Sequence, residues 1–123
     1  MCSEHDVRVL VADDQAPFRR AALAVIAATP GFALAAEASS GEEAVALAAE
    51  VRPDLVLLDV RMPGLGGVAA ARRIAAPLTV LISTYRAEDL AEAAGMPFLL
   101  KGDFGSAALR ALWNERQVSC AAR

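Results

Sequence analysis

The chain has 123 residues and a formal net charge of −3, from 12 lysine and arginine residues against 15 aspartate and glutamate residues. This length suits a single domain and is too short to hold a catalytic domain joined to a separate DNA-binding domain. Proteins that bind the nucleic-acid backbone are usually basic, so the acidic balance argues against direct nucleic-acid binding. Lysine occurs once, at Lys101, and the other 11 cations are arginine.

No segment of the sequence predicts a membrane span. The longest uncharged stretch, residues 21–36, is broken by Pro30 and Gly31 and is too short to cross about 30 Å of hydrocarbon. The N-terminal residues are acidic and lack the apolar run of a signal peptide, so we expect a cytoplasmic protein. Cys2 and Cys120 have no metal-binding spacing and are expected to be free thiols.

Short apolar runs alternate with alanine-rich stretches of helical character along the whole chain. The apolar runs predict strands at residues 7–12, 32–38, 55–58, 78–82 and 98–100. Helices are predicted at residues 17–28, 40–50, 68–76, 87–94 and 106–117. Pro17 suits the first turn of its helix, and Ser40 to Glu43 matches a capping box. Trp113 is expected to pack in the core. Five alternations of strand and helix predict an α/β fold, a parallel sheet with helices on both faces.

Polar side chains follow four of the five predicted strands. Because the carboxyl ends of parallel strands meet at one edge of the sheet, these side chains are expected to share a crevice. They are Asp13 and Asp14 after the first strand, Asp59 after the third, Ser83 and Thr84 after the fourth, and Lys101 after the fifth. Any one of them alone could be a helix cap or a turn residue.

Taken together, these residues indicate phosphoryl chemistry. Three carboxylates in one crevice repel one another unless a cation neutralises them, and oxygen ligands favour a hard ion such as Mg²⁺. Lys101 adds an ammonium and Ser83 a hydroxyl, both suited to holding a phosphoryl group. One carboxylate could then act as a nucleophile and become an acyl phosphate.

The ordered motifs resemble those of a response-regulator receiver domain. They are Val9-Leu-Val-Ala-Asp-Asp14, Leu57-Leu-Asp-Val-Arg-Met-Pro-Gly64, Leu81-Ile-Ser-Thr-Tyr85 and Phe98-Leu-Leu-Lys101. The resemblance implies a flavodoxin-like fold with strand order 2-1-3-4-5 and one receiver domain over residues 1–123, its core at about residues 7–116. It also implies a signalling phosphoacceptor rather than an enzyme, with a sensor histidine kinase as phosphodonor.

The resemblance further implies a role for each site residue. Asp59 would be the phosphoacceptor, and Asp13, Asp14, Asp59 and the backbone carbonyl of Arg61 would hold Mg²⁺. Lys101, Ser83 and Thr84 would face the phosphoryl group. Ser83 and Phe98 would form the conformational switch, the hydroxyl moving towards the phosphoryl group and the aromatic ring turning inward.

The sequence departs from the family pattern in its spacing. The intervals from Asp59 to Ser83 and from Ser83 to Lys101 are short, so the third and fourth predicted helices should be shortened. A homodimer through the usual output face is therefore in question. Gly102 stands where many receivers have proline, and receivers of helix-turn-helix transcription regulators often lack that proline. A DNA-binding domain that follows residue 123 in a longer protein therefore stays an alternative.

Two other functions compete with a phosphorylated receiver. A phosphatase with an aspartate nucleophile would carry a second aspartate two residues after it, where this chain has Arg61. An inert receiver-like module would bind a partner without phosphorylation, although the complete acidic set argues against it.

Overall fold

The computed structural model describes residues 6–84 and 95–121, with side chains described through Glu115. The strands are β1 (Val7–Ala12), β2 (Phe32–Ala38), β3 (Leu55–Asp59), β4 (Leu78–Ser83) and β5 (Phe98–Leu100). The helices are α1 (Ala16–Ala28), α2 (Gly41–Val51), α3 (Gly67–Arg73) and α4 (Ser106–Ala121), and a single 3₁₀ turn covers Lys101–Asp103. The helix predicted at residues 87–94 lies outside the described residues, as do Cys2 and the side chain of Cys120.

The five strands form one parallel sheet in the order β2-β1-β3-β4-β5, as the resemblance predicts. The register pairs Ala12 with Leu58, Asp59 with Ile82, and Ser83 with Leu100. The last residues of β1, β3, β4 and β5 therefore lie side by side. This alignment brings the polar residues that follow these strands to one edge of the sheet.

The core lies on both faces of the sheet because successive side chains of each buried strand point in opposite directions. On β1, Val9 and Val11 join a cluster with residues of α1 and α4, whereas Leu10 and Ala12 join a cluster with residues of α2 and α3. Trp113 of α4 is only 6% exposed and belongs to the first cluster, which confirms its predicted place in the core.

Local sequence determines where the helices start and stop. Pro17 lies in the first turn of α1, where its missing N–H needs no partner. The Oγ atom of Ser40 accepts a hydrogen bond from the backbone N–H of Glu43 at 3.1 Å. The Glu43 carboxylate in turn accepts one from the N–H of Ser39 at 2.7 Å, so the cap is reciprocal but one residue wider than a standard capping box.

The third helix differs from its predicted bounds. It covers seven residues, Gly67–Arg73, instead of residues 68–76, because Ile74 is already extended (φ −99°, ψ 127°). Pro77 restricts the backbone before it, and the chain must extend to reach β4. The expectation of a short third helix is thus confirmed. Among the described residues, no helix combines the length and apolar character needed to cross a bilayer.

Candidate functional site

Three carboxylates meet at the carboxyl ends of β1 and β3. Asp13 follows β1 and is fully buried, Asp59 ends β3 and is 5% exposed, and Asp14 is exposed to solvent. One carboxylate oxygen from each of the three lies within 4.8 Å of the others. The structure therefore brings together the three aspartates that the sequence predicts to meet, and leaves one open to solvent.

Backbone hydrogen bonds fix the two buried carboxylates. Asp13 Oδ1 accepts a hydrogen bond from the N–H of Gln15 at 2.8 Å, and Asp59 Oδ1 accepts one from the N–H of Arg61 at 3.2 Å. Arg19 donates to the backbone carbonyl of Asp13 at 2.8 Å and also pairs with Glu37 at 3.1 Å. The carboxylates are thus oriented before any ligand binds.

Lys101 reaches the crevice from the 3₁₀ turn that directly follows β5. Its Nζ atom lies 2.6 Å from Asp13 Oδ2 and 3.3 Å from Asp59 Oδ2, and its side chain is only 8% exposed. The same atom lies 4.8 Å from the centre of the Phe18 ring on α1. Sequence reasoning found the lysine but missed the ring, because nothing in the spacing of α1 shows that Phe18 faces β5.

The site changes the proton affinity of both partners in this ion pair. Burial and the nearby charge of Asp13 raise the pKa of Asp59 from 3.8 to about 6, although Lys101 and the Arg61 N–H partly offset the rise. Burial alone would lower the pKa of Lys101, but the hydrogen bond to Asp13 and the charges of both aspartates raise it above its usual value. Lys101 therefore stays an ammonium at neutral pH.

Ser83, Thr84 and Phe98 lie on the β4–β5 side of the site. Ser83 ends β4, is 1% exposed and pairs in register with Leu100, the residue before Lys101. Thr84 follows it and is exposed. Phe98 is half-buried and packs against the cluster between the sheet and helices α2 and α3. These positions agree with the predicted neighbourhood of each residue, and their roles stay predictions.

The loop after Asp59 is held in place by the start of α2. Glu42 Oε2 accepts a hydrogen bond from the N–H of Leu65 at 3.0 Å. Gly64 has φ +73°, and a Cβ atom there would lie 2.6 Å from Glu42 Oε2. A groove of about 490 Å³ opens beside the loop, lined by Asp14, Val60, Arg61, Met62, Pro63, Gly64 and Gly66. The sequence did not predict this role for Glu42, because an exposed glutamate in the first turn of a helix usually faces solvent only.

The residues present fit a magnesium ion. All ligands available from the three aspartates are carboxylate oxygens, the donors that Mg²⁺ prefers. One ammonium against three carboxylates leaves an excess of negative charge. Burial is the main cause of the raised pKa of Asp59, and the charge of Asp13 adds to it. A divalent cation would balance this excess.

Comparison with known proteins gives the family. Residues 9–102 match the family model of the response regulator receiver domain. The chain belongs to the response-regulator receiver family. This membership confirms the resemblance and the role of a receiver in two-component signalling.

Relatives of this receiver are longer than the chain itself. It is 42% identical over 101 residues to a protein-glutamate methylesterase/protein-glutamine glutaminase of Anaeromyxobacter dehalogenans, a match that covers 80% of this chain and 29% of that protein. It is 41% identical over 102 residues to the transcriptional regulatory protein PdtaR of Mycobacterium tuberculosis, covering 76% of this chain and 49% of that one. The receiver thus spans less than half the length of either relative.

A solved structure supports the same fold. The signal receiver domain of NarL from Mycobacterium tuberculosis superimposes with a TM-score of 0.79 at 26% identity, covering 93% of this chain and 98% of that one. The flavodoxin-like architecture predicted from the sequence is therefore confirmed.

Proposed function

We propose that Asp59 of this receiver accepts a phosphoryl group from the phosphohistidine of a cytoplasmic sensor histidine kinase, in a reaction that requires Mg²⁺. The observation that carries the proposal is the joint position of Asp59, Lys101 and two further aspartates at one edge of the sheet. Residues 1–123 would form one receiver domain, with its core at about residues 7–116, that acts as a phosphoacceptor and not as an enzyme on other molecules.

Among the three aspartates, Asp59 suits the role of nucleophile best. Asp13 is fully buried, and its two oxygens already contact the Gln15 N–H and Lys101 Nζ. Asp14 is exposed, so water solvates its carboxylate and weakens it as a nucleophile. Asp59 lies between these extremes, largely desolvated but next to the groove that Val60 and Arg61 line.

The chain supplies the nucleophile and the ammonium for this reaction, while the phosphohistidine and Mg²⁺ come from outside it. One Asp59 carboxylate oxygen attacks phosphorus and forms an O–P bond, while the N–P bond of the phosphohistidine breaks and its electron pair stays on the imidazole. Lys101 attracts the charge that spreads over the phosphoryl oxygens. Asp13, Asp14, Asp59 and the Arg61 carbonyl would hold Mg²⁺, which supplies further neutralisation of that charge.

The phosphoryl group would then change the conformation through the β4–β5 side of the site. Ser83 would move its hydroxyl towards the new oxygens, Thr84 would border the phosphoryl group, and Phe98 would turn further into its cluster. A doubly charged group can reverse an energy gap of a few kcal/mol between two states. The output would pass to a partner, to a second copy of the chain or to a domain outside residues 1–123.

The proposal is tested by incubating the receiver with phosphoramidate and MgCl₂ and measuring the intact mass. We expect a single phosphoryl adduct on the wild type, and none on Asp59→Asn or on the wild type in EDTA. An equal adduct on Asp59→Asn would refute the assignment. No adduct on the wild type would favour an inert receiver-like module, and continuous release of inorganic phosphate without an adduct would favour a phosphatase.

A further inference from the structure

The ammonium of Lys101 has an aromatic neighbour as well as two acidic ones. Its Nζ atom lies 4.8 Å from the centre of the Phe18 ring, within the range of a cation–π interaction. The Phe18 ring in turn packs against Phe104, with ring centres 6.0 Å apart and planes inclined by 56°. Phe18 comes from α1 and Phe104 directly follows the 3₁₀ turn of Lys101. The pair thus connects helix α1 to the segment that carries the lysine.

The Phe18 ring attracts the ammonium without adding negative charge to the site, which a further carboxylate could not do. The Lys101 side chain is 8% exposed, so its ammonium has lost most of its water and needs other partners. A third acidic partner would add to the repulsion among the aspartates. The face of a phenylalanine ring attracts a desolvated cation without any net charge, and this attraction is stronger than at an exposed site.

We propose that Phe18 is a positioning residue for phosphoryl transfer, and this inference rests on the function proposed above. Its ring keeps the Lys101 ammonium desolvated and at the crevice while the ammonium exchanges the Asp13 oxygen for an oxygen of the phosphoryl group. Phe104 braces the ring, because a tilted aromatic pair restricts its rotation. Leucine at residue 18 would fill most of the volume but would lack the negative ring face.

The static part of the proposal can be tested without any phosphodonor, because Lys101 is the only lysine in the chain. In protein labelled with ¹³C-lysine, the ε-methylene signals belong to this residue alone. The Phe18 ring current should shift them upfield in the wild type and in Phe18→Tyr. In Phe18→Leu this shift should be lost. Phe32 packs against the same hydrophobic cluster but starts β2 opposite Val7, at the end of the sheet away from Lys101, so Phe32→Leu should leave the signals unchanged.

The functional part is tested by the rate of Asp59 phosphorylation at a fixed phosphoramidate concentration. We expect Phe18→Leu to be slower than the wild type by about 3- to 30-fold, and Phe18→Tyr and Phe32→Leu to stay within about twofold of it. Trifluorophenylalanine at residue 18 keeps the shape of the ring and removes its negative face. It should slow the reaction as leucine does, even if Phe18→Leu folds poorly.

Two outcomes separate this inference from the proposed function. If the wild type forms no adduct with Mg²⁺ present, the proposed function fails and the positioning role of Phe18 fails with it. If the wild type is phosphorylated and the fluorinated variant reacts equally fast, only the positioning role of Phe18 is overturned. An unchanged Lys101 signal in Phe18→Leu would overturn the contact itself.

Discussion

The carboxylate of Asp59 lies in an environment that favours its protonated form. Its pKa of about 6 means that the folded protein holds this proton to a higher pH than the unfolded chain, in which the group titrates near 3.8. The folded state therefore binds more protons between these values, and the contribution of Asp59 to the free energy of unfolding falls as pH rises from about 4 to about 6. Negative charge at Asp59 therefore lowers stability, and the function proposed above needs that same charge for attack on phosphorus.

Asp59→Asn should therefore stabilise the protein at pH 7.5 in EDTA, by on the order of 1 kcal/mol after allowance for solvent screening. The advantage should shrink as pH falls towards 4, where the wild-type carboxyl is protonated. Urea unfolding of both proteins at pH 7.5 and near pH 4 measures this difference in the free energy of unfolding. Asp103→Asn removes a charge from an exposed aspartate and serves as the control. A variant less stable than the wild type at pH 7.5 would contradict the argument.

Lys101 is held in a space that suits an ammonium. Lys101→Arg keeps the charge but places a wide guanidinium between Asp13, Asp59 and the Phe18 ring, which leave 8% of the side chain exposed. We expect the phosphoryl adduct to form at least about tenfold more slowly and the stability to fall by about 1–3 kcal/mol. Intact mass over time and urea unfolding measure the two effects.

A matched control shows whether the effect of Lys101→Arg is specific to the site or follows any exchange between arginine and lysine. Arg72→Lys exchanges the same two residue types on the exposed face of α3 and should leave both quantities unchanged. Wild-type adduct formation in Lys101→Arg would show that the compact ammonium is not required.

At the scale of elements, the close approach of β3 and α3 fixes the position of Asp59. Gly67 begins α3, and a Cβ atom there would overlap the backbone carbonyl of Asp59 and lie 2.9 Å from Val60 Cα. The N–H of Gly67 also donates to the carbonyl of Val60 at 3.0 Å. A side chain at residue 67 would therefore displace the end of β3 and with it the Asp59 carboxylate, which lies 3.3 Å from Lys101 Nζ.

Gly67→Ala is expected to cost about 1–3 kcal/mol of unfolding free energy and to slow phosphorylation. Gly102→Ala is the control, since a Cβ atom at Gly102 meets no atom within 4 Å. Thermal unfolding and adduct formation are compared for the two variants. Equal unfolding temperatures and equal phosphorylation rates in the two variants would mean that the β3–α3 junction can move to accommodate a Cβ atom at residue 67.

The elements also show how far sequence reasoning reaches. The bounds of β1, β2 and β5 agree with prediction, because each is a largely apolar run that ends next to a polar residue: Asp13, Ser39 and Lys101. The three aspartates and Lys101 were predicted to meet because topology alone places strand ends together. The contacts of Phe18 and Glu42 were not predictable, since they depend on which face each helix turn presents. The early end of α3 was missed because alanine-rich sequence continues past Arg73.

At the scale of the whole molecule, we expect cation binding and folding to be coupled. The proposed metal ligands follow β1 and end β3, so only the folded chain would assemble them. A ligand that binds the folded state at 100 times its Kd adds about 2.7 kcal/mol to the free energy of unfolding. MgCl₂ should therefore raise the unfolding midpoint, followed by the fluorescence of Trp113, the only tryptophan and a buried one.

Asp14→Asn should separate the stability of the metal-free fold from the added stability that Mg²⁺ gives. Asp14 is exposed, so the variant should unfold near the wild-type midpoint in EDTA, yet respond less to MgCl₂. The same stabilisation by MgCl₂ in the variant and the wild type would remove Asp14 from the proposed ligand set.

The single lysine also makes the receiver chemically addressable. A neutral amine attacks the carbonyl carbon of an acylating reagent and displaces its leaving group, and Lys101 carries the only side-chain amine in the sequence. Its ammonium is held by two carboxylates, an aromatic ring and a raised pKa, so acylation at this residue should be slow while the crevice is closed. The rate at which Lys101 gains one acyl group would therefore report how often the crevice opens. The mass of the peptide that contains Lys101 measures this rate.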